Sequence, residues 1–127
     1  MNAAELRACC LAHRGAMEDF PFGPEPSVFK VAGKVFALSA LARTPLECTL
    51  KCEPELAVDL RRTYEAIRPG YHSNKRHWNT ITLDGSLPDH LVHDLIEDSY
   101  DLVVGKLPKR VREQLGGQPA DVPDPKA

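Results

Sequence analysis

Apolar and polar positions alternate most clearly over residues 46–52. Leu46, Cys48, Leu50 and Cys52 fall on one side, and Glu47, Thr49 and Lys51 on the other. A period of two is that of a strand with one buried and one solvated face, as in an antiparallel sheet. Residues 28–32 and 34–40 flank Gly33 and predict a β-hairpin, the glycine supplying the positive φ of a tight turn. Residues 79–83 alternate again after the Pro69-Gly70 turn signal. Helical spacing holds elsewhere. Over residues 2–14 it puts Leu6, Cys9, Cys10 and His13 on one face, with Asn2 and Glu5 as a capping box and Gly15 as the stop. Pro54 opens a second helix with the stripe Leu56, Leu60, Tyr64 and Ile67, which Pro69 ends at Arg68. Leu91, Val92, Leu95, Ile96, Val103, Val104 and Leu107 mark a long third helix. Ser86 and Asp89 suit a second capping box, with Pro88 in the first turn and Lys106 near the end, where the dipole favours a cation.

The resulting order, α–β–β–β–α–β–α, predicts a two-layer α+β domain: one antiparallel sheet with helices over one face. Residues 1–115 are expected to form it. Residues 116–127 (GGQPADVPDPKA) lack apolar content and are expected to be disordered. Residues 20–26 (FPFGPEP) read as a rigid connector, because their prolines exclude helix and central strand. Phe20 and Phe22 are expected to cover the edge of the core; exposed, they would be a ligand or partner contact.

Composition narrows the function. At 127 residues and 43% hydrophobic content the chain can bury a core without metals or disulfides. A formal charge of −2 argues against a generic nucleic-acid coat but permits a local basic patch. Cys9 and Cys10 are adjacent and cannot easily pair, and Cys48 and Cys52 on one strand would stand roughly 13 Å apart. The thiols therefore read as small core residues. With no signal peptide and no apolar run of spanning length, the expected setting is cytoplasmic, away from membranes.

Metal and catalytic signals are weak. Cys48-x3-Cys52 lacks zinc spacing, and His90 and His93, flanked by Asp89 and Asp94, have no third ligand placed by sequence. Neither a G-x-S-x-G elbow nor a Gly-rich phosphate loop occurs, and nothing fixes His77 against Asp84 or Glu47 as a base and its orienter. No catalytic residue, metal or cofactor is assigned.

Residues 69–83 (PGYHSNKRHWNTITL) are more informative: they hold the chain's 1 Trp, two His and a Lys-Arg pair. Strand parity puts Trp78, Thr80 and Thr82 on one face and His77, Asn79, Ile81 and Leu83 on the other. If Ile81 and Leu83 face the core, Trp78 faces outward with Lys51. Lys75, Arg76 and Trp78, with Lys106, Lys109, Arg110 and Arg112, then offer phosphate pairing and base stacking, the chemistry of nucleic-acid contact. The alternative is a small-molecule or protein-binding module using a pocket around Tyr71, His72, His77, Trp78 and Asn79. A third reading packs Trp78 against a loop and leaves the cations solvated. Oligomeric state is not legible.

Three segments together resemble the MmcQ/YjbR family, small bacterial proteins grouped as DNA-binding. They are LKCEPE at 50–55, PGYHSNKRHWNT at 69–80, and SYDLVV at 99–104 followed by Lys106-Leu107-Pro108. The 69–80 run is the specific part, and the likeness covers about residues 3–112. The resemblance implies an α–β(3)–α–β(2)–α domain related to secretion-chaperone and frataxin-like folds. It implies an extra strand near residues 71–76 and a winged DNA-binding surface. It brings no catalytic residues and no cofactor. Frataxin-like iron binding uses an acidic first helix; the first helix here carries Glu5 with Arg7 and Arg14, so iron is not carried over.

Overall fold

A six-stranded sheet organises the molecule, seen in a computed structural model that describes residues 1–70 and 74–115. The elements run α1 (Ala3–Leu11), β1 (Ala16–Asp19), β2 (Ser27–Val31), β3 (Lys34–Ser39), β4 (Glu47–Lys51), α2 (Pro54–Thr63), β5 (Ile67–Pro69), β6 (Trp78–Thr82), α3 (Asp89–Gly105) and α4 (Lys109–Gln114). The strand order is β1-β2-β3-β4-β6-β5, and every neighbouring pair is antiparallel. The expected α+β architecture is the observed one.

Local chemistry explains the elements. Asn2 Oδ1 accepts from the Glu5 N–H and the Asn2 N–H donates to Glu5 Oε1, both at 2.8 Å, which closes the capping box of α1. Ala32 and Gly33 take φ of +50° and +80°, the two left-handed residues of a tight β2–β3 hairpin. Cys48, Leu50 and Ile81 face the helices and are buried, as the alternation requires, with Leu46 and Leu83 packed at the margin of the core. α3 lies across β2, β3 and β4, burying Val92, Leu95, Ile96 and Val103, while α1 packs on β1 and α2 on β5. Phe29 and Phe36 are wholly buried, each contributing about 1.5–3 kcal/mol through apolar burial.

Phe36 is also an irregularity. Phe29 pairs with Ala37 and Lys30 with Val35, so Phe36 is an extra residue in β3. Its carbonyl accepts from Ser99 Oγ at 2.5 Å, and Ser99 Oγ in turn accepts from the Lys51 N–H at 2.9 Å. One fully buried hydroxyl on α3 thus ties the bulge of β3 to the end of β4.

Several expectations are corrected. The helix expected over residues 2–14 ends at Leu11. β1 was not foreseen, and it is a short, half-exposed edge strand. The second helix ends at Thr63, and Ile67 lies in a strand opposite Ile81. Arg68 is extended because Pro69 disfavours helical geometry before it. The buried residues of α2 are Ala57 and Leu60, while Leu56 is exposed. α3 has no side-chain cap, since Ser86 Oγ donates to Asp84 Oδ1 instead. Phe20 and Phe22 do not cover the core: they are 48% and 69% exposed. The strand expected near residues 71–76 falls partly outside the described residues, and its described part is a turn. The tail at 116–127 lies outside them altogether. Among the described residues no helix is long and apolar enough to cross a membrane.

Candidate nucleic-acid interface

Parity places Trp78 where the sequence predicts. Lys51 pairs with Trp78, Thr49 with Thr80 and Glu47 with Thr82 across β4 and β6, so these six side chains share the sheet face turned away from the helices. Gly70, just past the end of β5, fixes Trp78 from the neighbouring strand. Its N–H donates to the Trp78 carbonyl at 2.8 Å, and a Cβ on Gly70 would stand 2.8 Å from the Trp78 Cβ. Only glycine lets the two backbones approach this closely.

The two ends of this ladder differ. At one, Arg68 Nη2 meets Glu47 Oε2 at 2.5 Å and Nη1 donates to Thr82 Oγ1 at 3.0 Å. In the middle, Thr49 Oγ1 and Thr80 Oγ1 are 2.9 Å apart. At the other end, the Lys51 ammonium has no ion-pair partner among the described residues. Its pKa is lowered, first by burial and then by the nearby positive charge of Lys106. Lys51 is thus a cation without an acid partner among the described residues, paired across the ladder with a half-buried indole.

A concavity of about 890 Å³ opens beside Trp78. Phe22 and Pro26 of the connector, Val35 and Leu38 of β3, and the loop carrying Arg43 form its walls, with Glu47, Thr49, Asn74 and Trp78. Its size lies within the usual range of small-molecule sites. Asn74 reaches it through a tight turn: its Oδ1 accepts from the Arg76 N–H at 3.0 Å, and its carbonyl from the His77 N–H at 3.1 Å.

The remaining predicted residues divide. Arg76 does not line the Trp78 concavity; it borders a depression on α2 with Glu55, Val58, Asp59 and Arg61. The Lys75 carbonyl is held there by Arg61 Nη1 at 3.2 Å. Lys106 caps α3, and Lys109, Arg110 and Arg112 stand exposed on α4, with no acidic partner among the described residues. Asn79 does not line the Trp78 concavity: it is 3% exposed, and its Nδ2 donates to the Ala57 carbonyl at 3.4 Å beneath the sheet. His77 is half-buried and does not line the concavity. Tyr71 and His72 lie outside the described residues. Sequence reasoning missed Leu38, Arg43 and Asn74, which come together only through the fold; Phe22 was offered as a ligand or partner contact only in the event of its exposure, and the proline-braced Phe pair was the one available signal.

The thiols are all unpaired. Burial pushes Cys10 up to about 12 and Cys48 well above the ordinary thiol value. Cys9 departs from the core reading: it is half-buried, with Sγ 3.2 Å from His93 Nδ1. Among the described residues, no group of three or more His, Cys, Asp or Glu is arranged to hold a metal.

Comparison with known proteins follows from this geometry. A family model described as YjbR matches residues 11–102. The chain is 36% identical over 115 residues to the uncharacterised Escherichia coli K12 protein YjbR, spanning 91% of this chain and 98% of that one. It is 41% identical over 96 residues to the uncharacterised Escherichia coli O157:H7 protein YbdF, spanning 76% and 79%. The crystal structure of Deinococcus radiodurans DR2400, of domain family DUF419, superposes with a TM-score of 0.85 at 39% identity, covering 90% of this chain and 87% of that one.

Proposed function

The chain belongs to the YjbR family, and on that premise we propose that the open face of its sheet makes a modest, largely electrostatic contact with nucleic acid. One observation carries this reading: Trp78 stands opposite Lys51 on that face, and the Lys51 ammonium, its pKa lowered by burial and then by Lys106, has no ion-pair partner among the described residues. An aromatic face beside unpaired cations suits an unstacked base and its phosphates. Lys109, Arg110 and Arg112 offer a separate cationic cluster on α4, whose end meets Gly15 and Val31 at the β1–β2 side of the sheet, and Lys75 adds a cation from the turn before Trp78. Arg76, on the α2 side, belongs to the periphery. Four unpaired thiols fit a reducing, cytoplasmic setting.

The overall charge of −2 limits long-range attraction, so binding rests on a few phosphates at contact. Neutralising about three to five of them gives a log–log salt slope of about −2 to −4. Fluorescence anisotropy of labelled single-stranded and duplex oligonucleotides across a salt series tests the proposal. Single strands should bind more tightly, since an indole stacks on unpaired bases. Absence of binding at low salt for either form would defeat it.

A second reading, a small-molecule or protein-binding module, has the apolar walls of the concavity in its favour. It requires saturation by one small ligand with little dependence on salt.

A further inference from the structure

We propose that the concavity beside Trp78 seats a single nucleotide, free or as one unpaired unit of a strand, with its base between the aromatic walls and its phosphate on Arg43. The inference rests on the nucleic-acid reading above and names the part of the ligand that this site takes.

The walls select a planar group. Phe22 and Trp78 are far apart in sequence, yet both line the concavity, with Val35 and Leu38 between β2 and β4 in the sheet. Phe22 is 69% exposed, an unfavourable position for an aromatic unless something covers it. The surrounding prolines restrict the connector's freedom, so little order remains to be imposed when a ligand arrives.

The polar groups select charge. Glu47, the only carboxylate among the described lining residues, is occupied by Arg68. The Thr49 hydroxyl pairs with Thr80, and the Ser39 hydroxyl donates to the Glu47 carbonyl. What remains is rich in donors. The Arg43 guanidinium has no hydrogen-bond or ion-pair partner among the described residues. Asn74 uses its Oδ1 on the Arg76 N–H, and among the described residues its amide N–H groups have no partner. The Thr44 hydroxyl can serve in either sense. A cationic ligand would be repelled by Arg43, and a neutral apolar one would leave it unused. A guanidinium paired with phosphate oxygens and an amide facing a base carbonyl use the whole set. Lys51 and Lys106 then receive the next phosphate where the nucleotide belongs to a strand.

The 1 Trp of the chain makes the test direct, because emission from Trp78 reports occupancy. Adenosine and uridine 5′-monophosphate, a single-stranded tetranucleotide and a twelve-base-pair duplex would be titrated against the wild-type chain, Arg43→Gln and Phe22→Ala. Both positions are exposed, and circular dichroism would establish that the variants fold. We expect quenching by the mononucleotides and the tetranucleotide, mutual competition between them, and weaker quenching by duplex. Arg43→Gln should weaken both single-stranded ligands about tenfold, and Phe22→Ala about three- to tenfold. Mononucleotide binding without strand binding would support the site for a free nucleotide and overturn the strand reading. Strand binding indifferent to both substitutions and to competing mononucleotide would overturn the site and leave the surface reading standing. Binding of none of the ligands would overturn both.

Discussion

The β4–β6 ladder has two ends built from the same backbone geometry and used in opposite ways. At the Glu47–Thr82 end, Arg68 engages both side chains, so charge and hydrogen-bonding capacity are spent inside the protein. At the Lys51–Trp78 end, the ammonium has no acid partner among the described residues, and the indole is left half-covered beside a concavity. The contrast is instructive because both ends carry a cation. What marks a surface as a candidate site is a cation kept without a partner at an energetic cost, together with an aromatic. The lowered Lys51 pKa registers that cost: burial and Lys106 both disfavour its charged form.

Substitutions can break or sharpen the contrast. Ser99→Ala should have the largest effect, because it strips the Phe36 carbonyl and the Lys51 N–H of their shared partner. Leaving one buried and one part-buried backbone group unpaired should cost about 2–4 kcal/mol, read as a lower urea midpoint with an unchanged m-value. Trp78→Ala should come next, weakening single-strand binding by about 1–3 kcal/mol with little change in the salt slope. Equal loss on duplex and single strands would deny the indole a stacking role.

Lys51→Gln with Lys106→Gln should flatten the salt slope by about one to two, measured by anisotropy. The Lys51 pKa lies below the reference 10.5, so its charge is lost at a lower pH than that of an ordinary lysine. Affinity should therefore fall as pH rises toward that value, and Lys51→Gln should remove this part of the fall. In the absence of ligand the sign reverses for stability. Between the lowered folded pKa and 10.5 the unfolded chain holds the extra proton, so Lys51 destabilises the fold less as pH rises through that window. The smallest effect belongs to the other end of the ladder. Arg68→Gln breaks a pair whose side chains are 45% and 38% exposed, which should cost no more than about 1 kcal/mol of stability and leave nucleic-acid binding unchanged.

Much of the fold was legible because it rests on local periodicity. The alternation at Glu47–Lys51 and the parity of Trp78 and Ile81 assigned both faces of the central strands correctly, and the Asn2–Glu5 box marked the start of α1. β1 was not legible, since Ala-Met-Glu-Asp has no apolar alternation and its order comes from pairing with β2. The stripe Leu56, Leu60, Tyr64 and Ile67 keeps helical spacing, yet Ile67 gains more by pairing opposite Ile81 in the sheet. Site residues divide in the same way. Trp78 and Lys51 were readable from strand parity, whereas Arg76 is placed by a turn that Arg61 holds from α2. Phe22, Arg43 and Asn74 lie on three separate segments, and no one-dimensional pattern joins them.

The most direct test is an amide and indole NMR map of the chain titrated with a short single-stranded oligonucleotide at low salt. The largest shifts should fall on Lys51, the Trp78 indole N–H, Asn74, Arg43 and Lys106, while Glu47, Arg68 and Thr82 stay nearly still. Shifts concentrated at the Arg68 end, or confined to the α2 depression around Arg61 and Arg76, would contradict the assignment of the open face as the contact surface.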